Sequence, residues 1–229
     1  MGHSMGRVSE IRLGSGRQME VCIICPEGVI PSAGQYLLAF DLDDTGAVLR
    51  TPIFAVEKAQ QGFWAAPLNS IPWGLGTNLD LVGPLGKGFD LPRNIQRLGL
   101  VALGETVSRL LPLIHLTAKT HAGMTLFTDL TLPKLPVALE VYPLASLKDA
   151  LDWPDFMALD VPLESLPELR AAVSLPGGAG LPCPAQVLVT TPVPCAGMAQ
   201  CGACAVPALR GWKMACEDGP VFDLSMLKW

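Results

Sequence analysis

Four of the seven cysteines of the chain lie close together near its C-terminus. They are separated by five, two and eleven residues, and small residues fill most of the first two intervals. Thiolates on one short loop are what an iron–sulfur cluster needs, because their sulfur atoms must converge on a small volume. Glycine and alanine let backbone N–H groups approach the sulfur atoms closely. The spacing predicts a metal centre with the ligands Cys195, Cys201, Cys204 and Cys216.

The spacing leaves two kinds of metal centre open. A [2Fe-2S] cluster takes four thiolates, and so does structural zinc, which commonly uses two pairs of closely spaced cysteines. Here three cysteines are close in sequence and Cys216 has no cysteine near it, which favours the cluster. The interval before Cys201 is one residue longer than in the plant-type pattern. We expect a bulge beside Gly197 to accommodate that residue.

The other three cysteines are predicted to be structural. Cys22 and Cys25 lie three positions apart on a predicted strand, so their side chains point to opposite faces, and Cys183 lies between two prolines. An odd number of cysteines without a secretory signal indicates reduced thiols rather than disulfides. We therefore expect a cytoplasmic protein. The first residues, including His3, are predicted to be disordered.

The composition argues against several partners. A net charge of −5 is unfavourable for binding nucleic acid or an anionic membrane surface. No apolar run reaches the roughly 18 residues that a membrane span needs. Half of the residues are hydrophobic and 16% are charged, so the chain has ample apolar material for more than one core.

Three successive patterns divide the chain. Residues 1–92 contain short apolar runs separated by turn residues, which predicts an antiparallel β-barrel. Residues 93–190 alternate between strand and helix patterns, including a strand at 138–141 and a loop at 176–180, which predicts a Rossmann-like α/β domain. Residues 191–229 have little core of their own, so bound metal would hold them together. The expected fold is α+β and multidomain.

Four segments resemble the electron-transfer subunit of NAD-dependent dihydroorotate dehydrogenase. They are the barrel run 31–36, the glycine-rich run 76–89, the run 181–188 before the cysteine loop, and the last-cysteine motif 216–224. The resemblance covers nearly the whole chain. It implies a ferredoxin-reductase-like fold, a [2Fe-2S] cluster, sites for FAD and NAD, a flavoprotein partner in a heteromer, and a place in pyrimidine biosynthesis.

The flavin signature of that family is altered here. Its Arg-Pro-aliphatic-Ser run falls on Thr51-Pro52-Ile53-Phe54, so the arginine is missing from its position and Phe54 cannot donate the hydrogen bond of the serine. Arg50 is adjacent. We expect a degraded flavin site, in which FAD could still be contacted only by Arg50, Thr51, Pro52 and Ile53.

The nicotinamide signature is altered further. The glycine-rich loop of the family falls on residues 102–106, where one glycine is left and Glu105 places a carboxylate at the helix N-terminus that would cradle a pyrophosphate. Asp160-Val161-Pro162 stands in place of Cys-Gly-Pro. We expect no NAD binding, and we expect Glu105 and Asp160 to be solvated loop residues rather than an acid–base pair.

These observations predict an electron-transfer subunit that relays electrons through a [2Fe-2S] cluster to or from a flavoprotein partner. No catalytic residue is predicted. Two alternatives stay open: a complete FAD-dependent NAD(P)H reductase subunit that uses Arg50, and a non-redox assembly subunit with structural zinc. Trp212 and the apolar end at 226–229 are expected either to contact the partner or to pack back on the cysteine segment.

Overall fold

The structure is a computed structural model that describes residues 2–44, 46, 48–132, 139–173 and 181–229. The first residue of the strand predicted at 138–141 lies outside the described residues, and so does the whole loop predicted at 176–180. The division of the chain at residues 92 and 190 stays a prediction.

Six antiparallel strands close into a barrel in the N-terminal part of the chain, as predicted. They are β1 (His3–Leu13), β2 (Met19–Ile24), β3 (Tyr36–Asp41), β4 (Thr51–Ala59), β5 (Gly62–Pro67) and β6 (Asn78–Leu85), and they close in the order β1-β2-β5-β4-β3-β6. Alternate side chains such as Val21, Ile53 and Phe63 fill the interior. This alternation is the reason why the barrel could be predicted from short apolar runs.

The first strand of the barrel is the exception, because the start of the chain was expected to be disordered. β1 pairs with both β2 and β6 and so closes the barrel. Within it only Gly6 and Val8 are buried, so its sequence shows almost no apolar alternation. His3 lies on this strand, with its ring nitrogen 3.3 Å from the carboxylate of Asp80.

A sheet with helices on both faces follows the barrel. Its strands are β7 (Arg97–Ala102), β8 (Gly123–Phe127), β9 (Glu140–Tyr142), β10 (Phe156–Pro162) and β11 (Ala185–Thr190); β12 (Ala205–Pro207) and β13 (Trp212–Met214) form a separate hairpin, and β14 (Val221–Asp223) returns to the sheet. The order is β14-β11-β10-β7-β8-β9, and only β14 is antiparallel to its neighbour. The predicted Rossmann-like arrangement is confirmed.

Two helices cover the faces of this sheet. The helix α1 (Leu111–Thr117) packs with Leu98 and Leu100 of β7, whereas α2 (Leu166–Val173) packs on the other face with Val101. Burial on both faces is typical of a parallel sheet. Within the described part of the chain, no helix has the length and apolar character that crossing a membrane requires.

A buried polar network joins the barrel to the second part of the chain. The Oγ of Ser15 lies 2.8 Å from the side-chain oxygens of both Thr106 and Ser108, and it accepts the N–H of Val107 at 3.0 Å. Ser108 in turn donates to the carboxylate of Glu20 at 2.5 Å. Each of these polar side chains is at most 2% exposed, so every unmade hydrogen bond here would be costly.

The network predicts that Ser15→Ala destabilises the protein by about 1–3 kcal/mol, because the N–H of Val107 is left buried without an acceptor. Urea denaturation followed by circular dichroism measures this change. Ser32→Ala, on an exposed turn, is the matched control and should leave the midpoint unchanged. Equal midpoints for both variants would contradict the role given to Ser15.

Candidate iron–sulfur site

The four predicted ligands come together as two pairs of thiols. The thiol of Cys204 donates to the sulfur of Cys216 at 3.2 Å, and the side chain of Cys201 is hydrogen-bonded to Cys195. In the described ranges, no three side chains of the types His, Cys, Asp or Glu are grouped closely enough to hold a single metal ion. Two thiolates on each of two irons is how four cysteines hold a [2Fe-2S] cluster.

The backbone of the cysteine loop bends through the left-handed region four times. Ala196 and Ala199 both have φ of 54°, and the glycines Gly197 and Gly202 have φ of 81° and 72°. For an alanine this conformation costs about 1–3 kcal/mol. A loop adopts this costly conformation where its backbone N–H groups must point toward one place.

Backbone N–H groups point at the sulfur atoms. The sulfur of Cys195 accepts hydrogen bonds from Gln200, Cys201 and Met198. The N–H of Ala203 donates to the sulfur of Cys201 at 3.5 Å. A further N–H, from Ala199, reaches Cys216. These donors stabilise negative charge on sulfur, which is what a thiolate-bound cluster carries.

Cys195 of one pair and Cys216 of the other differ in the pKa of their thiols. Hydrogen bonds from the backbone of Gln200 and Cys201 lower the pKa of Cys195 to about 6, so this sulfur is a thiolate at neutral pH. Burial, together with the contact to Cys204, raises the pKa of Cys216 to about 12. Metal binding must therefore displace a proton from the buried pair.

Tyr36, on barrel strand β3, points its hydroxyl group at the cysteine loop. The side chain is 2% exposed, and within the described part of the chain its hydroxyl has no hydrogen-bond partner. A Cβ placed on Gly197 would lie 3.5 Å from that hydroxyl oxygen. An unpaired buried hydroxyl costs about 1–3 kcal/mol. The thiols, the N–H groups and this free donor together fit a [2Fe-2S] cluster.

The segments that resemble the dihydroorotate dehydrogenase subunit meet beside this loop. A Cβ on Gly34 would lie 2.5 Å from the side chain of Val221, and one on Gly86 would lie 2.5 Å from the ring of Pro220. Gln35 donates to the carbonyl oxygen of Gly86 at 3.1 Å. The barrel glycines therefore let the segment after Cys216 lie directly against the barrel.

The other three cysteines lie away from this loop. Cys22 is buried in β2, and Cys25 follows that strand half-buried. Burial, and then the nearby Cys22, raises the pKa of Cys25 to about 11, so this thiol stays protonated at neutral pH. Cys183 is half-buried before β11. A protonated thiol in a packed environment agrees with a structural part for Cys25.

Protein side chains pack closely around the residues of the altered flavin signature. Ile53 is fully buried inside the barrel. Phe54 points outward, with its ring 5.9 Å from that of Tyr36, and packs against Leu188 and Val221. The cavity that Tyr36, Pro52 and Phe54 line has a volume of about 10 Å³, which is room for about one water molecule.

Arg50, the cation expected to contact FAD, has its side chain held by residues of the barrel. Its guanidinium lies 2.5 Å from the carboxylate of Asp80 on β6 and 5.6 Å from the ring centroid of Phe40. Burial acts to raise the pKa of Asp80, but the contacts with Arg50 and His3 outweigh it and lower that pKa. The degraded flavin site at Arg50, Thr51, Pro52 and Ile53 stays a prediction.

A turn of the barrel lies against the predicted nicotinamide position. Gly16, with φ of 65°, approaches the loop after β7 so closely that a Cβ on it would lie 1.8 Å from the carbonyl oxygen of Glu105. Ser15 beside it accepts the N–H of Val107, at the start of the helical segment that leads into α1. Beside the turn, Gln18 and Glu105 line an open cleft of about 810 Å³, which the sequence did not suggest.

The prediction that Asp160 is a solvated loop residue is wrong. Asp160 is fully buried at the end of β10 and accepts a hydrogen bond from Arg109 at 2.9 Å. Burial raises the pKa of Asp160, and Arg109 opposes that rise. The guanidinium of Arg109, 4% exposed, also lies 5.8 Å from the ring centroid of Phe54. Sequence reasoning missed Arg109; its place beside an apolar run was the available signal.

The comparison with protein families finds one match. Residues 195–228 match the model of the iron-sulfur cluster binding domain of dihydroorotate dehydrogenase B. The match begins at Cys195 and includes all four cysteines of the two pairs. It confirms the resemblance that the last-cysteine motif indicated, and it assigns this segment to an iron–sulfur cluster binding type. A search of the curated proteins finds no match.

Solved structures share the fold of most or nearly all of the chain. An NADH-dependent reduced ferredoxin-NADP oxidoreductase, studied for flavin-based electron bifurcation, is 20% identical, with 98% of this chain and 90% of that chain covered and a TM-score of 0.72. The ferredoxin reductase of carbazole 1,9a-dioxygenase is 18% identical, with 79% and 67% covered and a TM-score of 0.60. Phthalate dioxygenase reductase, which transfers electrons from pyridine nucleotides to [2Fe-2S], is 12% identical, with 82% and 68% covered and a TM-score of 0.53. The ferredoxin-reductase-like fold is confirmed.

The buried ion pair predicts opposite effects of a single and a double substitution. Asp160→Leu leaves the charge of Arg109 buried and unpaired, so we expect a loss of about 3–5 kcal/mol in stability. Adding Arg109→Met removes that charge and should restore most of the loss. Urea denaturation of the two variants measures both effects, and equal stabilities would contradict the pairing.

Proposed function

We propose that the chain is an electron-transfer subunit that relays electrons through a [2Fe-2S] cluster between redox proteins. The observation that carries the proposal is the meeting of two thiol pairs in the segment 195–228 that matches an iron-sulfur cluster binding domain. A [2Fe-2S] cluster held there would supply one-electron transfer between a donor and an acceptor. Its proposed ligands are Cys195, Cys201, Cys204 and Cys216.

The residues of the loop have separate tasks in this proposal. The buried pair, Cys204 and Cys216, fixes one side of the centre to the core of the protein. Cys201 on the other side is exposed, together with the small residues Gly202 and Ala203. Small side chains let a partner come close to the centre. The N–H groups around the sulfur atoms offset the charge that a transferred electron adds.

We further propose that the chain uses neither FAD nor NAD of its own. In support, Phe54 and the pair of Arg109 and Asp160 pack between the barrel and the sheet, where the family signatures place these cofactors. Ser15 satisfies an N–H at the helix start that a pyrophosphate would otherwise contact. A complete reductase subunit would need these contacts to open.

Without its own flavin the chain needs a redox partner, and we place the partner at the hairpin of β12 and β13. This hairpin lies between the third and fourth cysteines. Its turn carries Leu209, 69% exposed, whose N–H donates to the carbonyl oxygen of Met226 at 2.9 Å. Trp212 and Met226 are also exposed, at 66% and 51%. An exposed apolar cluster of this kind is typical of a protein interface.

The sequence left two alternatives for Trp212 and residues 226–229, contact with a partner or packing back on the cysteine segment, and we assign different residues to each. Trp229 packs back and donates its ring N–H to Leu224 at 3.1 Å, and Leu227 is buried. Trp212 and Met226 stay available to a partner. By the resemblance, that partner is a flavoprotein similar to the catalytic subunit of dihydroorotate dehydrogenase, in a heteromer. Since all seven cysteines are free, a reducing compartment such as the cytoplasm suits the protein.

Metal and sulfide analysis tests the proposal. Anaerobically purified protein should contain two iron atoms and two acid-labile sulfides per chain and give an EPR signal when reduced. Cys201→Ser and Cys216→Ser should each lose most of the iron, whereas Cys183→Ser, outside the two pairs, should keep it.

Two outcomes of the same experiment favour the alternatives. Zinc without sulfide would make the centre structural. A bound flavin spectrum after incubation with excess FAD would make the chain a complete reductase subunit. Zinc without sulfide contradicts the proposed relay, and bound flavin contradicts the proposal that the chain uses no FAD of its own.

The partner surface is tested with two matched leucines. Leu209 and Leu75 are 69% and 70% exposed, but Leu75 lies in the barrel, outside the cysteine segment. The chain is co-expressed with the dihydroorotate dehydrogenase catalytic subunit of the same organism, and the affinity is measured by calorimetry. Leu209→Ala should weaken binding about tenfold, which is about 1.4 kcal/mol, and Leu75→Ala should not. Equal affinities would contradict this surface.

A further inference from the structure

The hydroxyl group of Tyr36 is a buried donor that the fold does not satisfy. The side chain is 2% exposed, and no hydrogen-bond partner of the hydroxyl is found among the described residues. A phenylalanine would fill the same space without leaving a donor unpaired. The run 31–36 needs only an aromatic residue at this position to resemble the family. The hydroxyl of Tyr36 therefore needs a hydrogen-bond acceptor that is not found among the described residues.

The ring of Tyr36 is held so that the hydroxyl has one direction. A Cβ on Gly86 would lie 3.1 Å from Cε1 of the ring, so the barrel backbone at Gly86 lies close against one side of the ring. The ring of Phe54 lies 5.9 Å away on the neighbouring strand. The hydroxyl then reaches the cysteine loop at Gly197. Because the tyrosine is on a barrel strand, its position is set by the sheet rather than by a loop.

Three of the candidate ligands lie close enough to that hydroxyl to act on its charge. Burial, and then the nearby thiols of Cys216, Cys204 and Cys195, raises the pKa of Tyr36, so the hydroxyl keeps its proton and can only donate to an anion. The cavity of about 10 Å³ is lined by both Tyr36 and Ala215, the neighbour of Cys216. A water molecule in that cavity is the competing acceptor.

We propose that the hydroxyl of Tyr36 donates a hydrogen bond to a sulfur atom of the cluster site and so favours the reduced form. The inference rests on the proposed [2Fe-2S] function. Reduction adds negative charge to the sulfur atoms, and a donor fixed nearby stabilises the reduced form more than the oxidised form. Tyr36 is thus a positioning and tuning residue on the barrel, and it couples the barrel to the redox centre.

The test is the midpoint potential of Tyr36→Phe, measured by an EPR-monitored redox titration of cluster-loaded protein. We expect a more negative potential. A tenfold weaker preference for the reduced form corresponds to about 59 mV for one electron. The chain has one other tyrosine, Tyr142, which is exposed and contacts Glu140 at 3.3 Å. Tyr142→Phe is the matched control and should leave the potential unchanged.

A second measurement does not depend on a variant that loads the cluster. Pulsed EPR of the reduced wild-type protein in H₂O and in D₂O should show a strongly coupled exchangeable proton. Its absence would overturn the inference. Where Tyr36→Phe does load, loss of that proton supports the inference. The backbone N–H groups on the sulfur atoms keep their own exchangeable couplings in the variant, so an unchanged set of couplings overturns the inference.

Thermal unfolding gives an independent readout. The metal-free Tyr36→Phe protein should melt at a higher temperature than the metal-free wild type, because it buries no unpaired donor. In the loaded proteins this gain should vanish. Wild-type protein that contains neither iron nor sulfide would contradict the proposed function itself. The role of Tyr36 alone is contradicted if cluster-loaded Tyr36→Phe has the wild-type potential and its gain in melting temperature is the same with and without the cluster.

Discussion

The arrangement of the whole chain depends on the close approach of two backbones. The residues after Cys216 lie against the barrel glycines Gly34 and Gly86, at separations that leave no room for a Cβ. The same residues continue into β14, which completes the sheet beside β11. One stretch of backbone thus touches both larger parts of the protein. This contact places the cysteine loop over the end of Tyr36, and the candidate redox centre follows from it.

Protein side chains lie where the family signatures call for cofactors. Phe54 packs outward from β4, the buried pair of Arg109 and Asp160 closes the end of β10, and Ser15 caps the start of the following helical turn. Each contact stabilises the join between the barrel and the sheet. In the proposed function, stability gained in this way replaces cofactor binding, and the exposed side at Cys201 becomes the route by which electrons enter and leave.

Much of the fold could be predicted because its strands alternate or run apolar. The barrel core and both faces of β7 follow directly from such patterns. The prediction failed where tertiary pairing overrides a weak pattern. β1 buries only Gly6 and Val8, yet two neighbouring strands hold it in the barrel. Asp160 was misjudged for a related reason: its burial depends on Arg109, a partner 51 residues away in the chain.

The four cysteines of the candidate centre could be chosen from the sequence, because thiol chemistry and short spacing need no further context. The altered flavin and nicotinamide signatures could be recognised there too, since those signatures are local. How the thiols pair, and that Ser15, Phe54 and Arg109 take the places near those signatures, follows from the tertiary fold. That fold alone also brought the hydroxyl of Tyr36 to the cysteine loop. These contacts join residues far apart in the chain, and their distances are set by packing rather than by spacing.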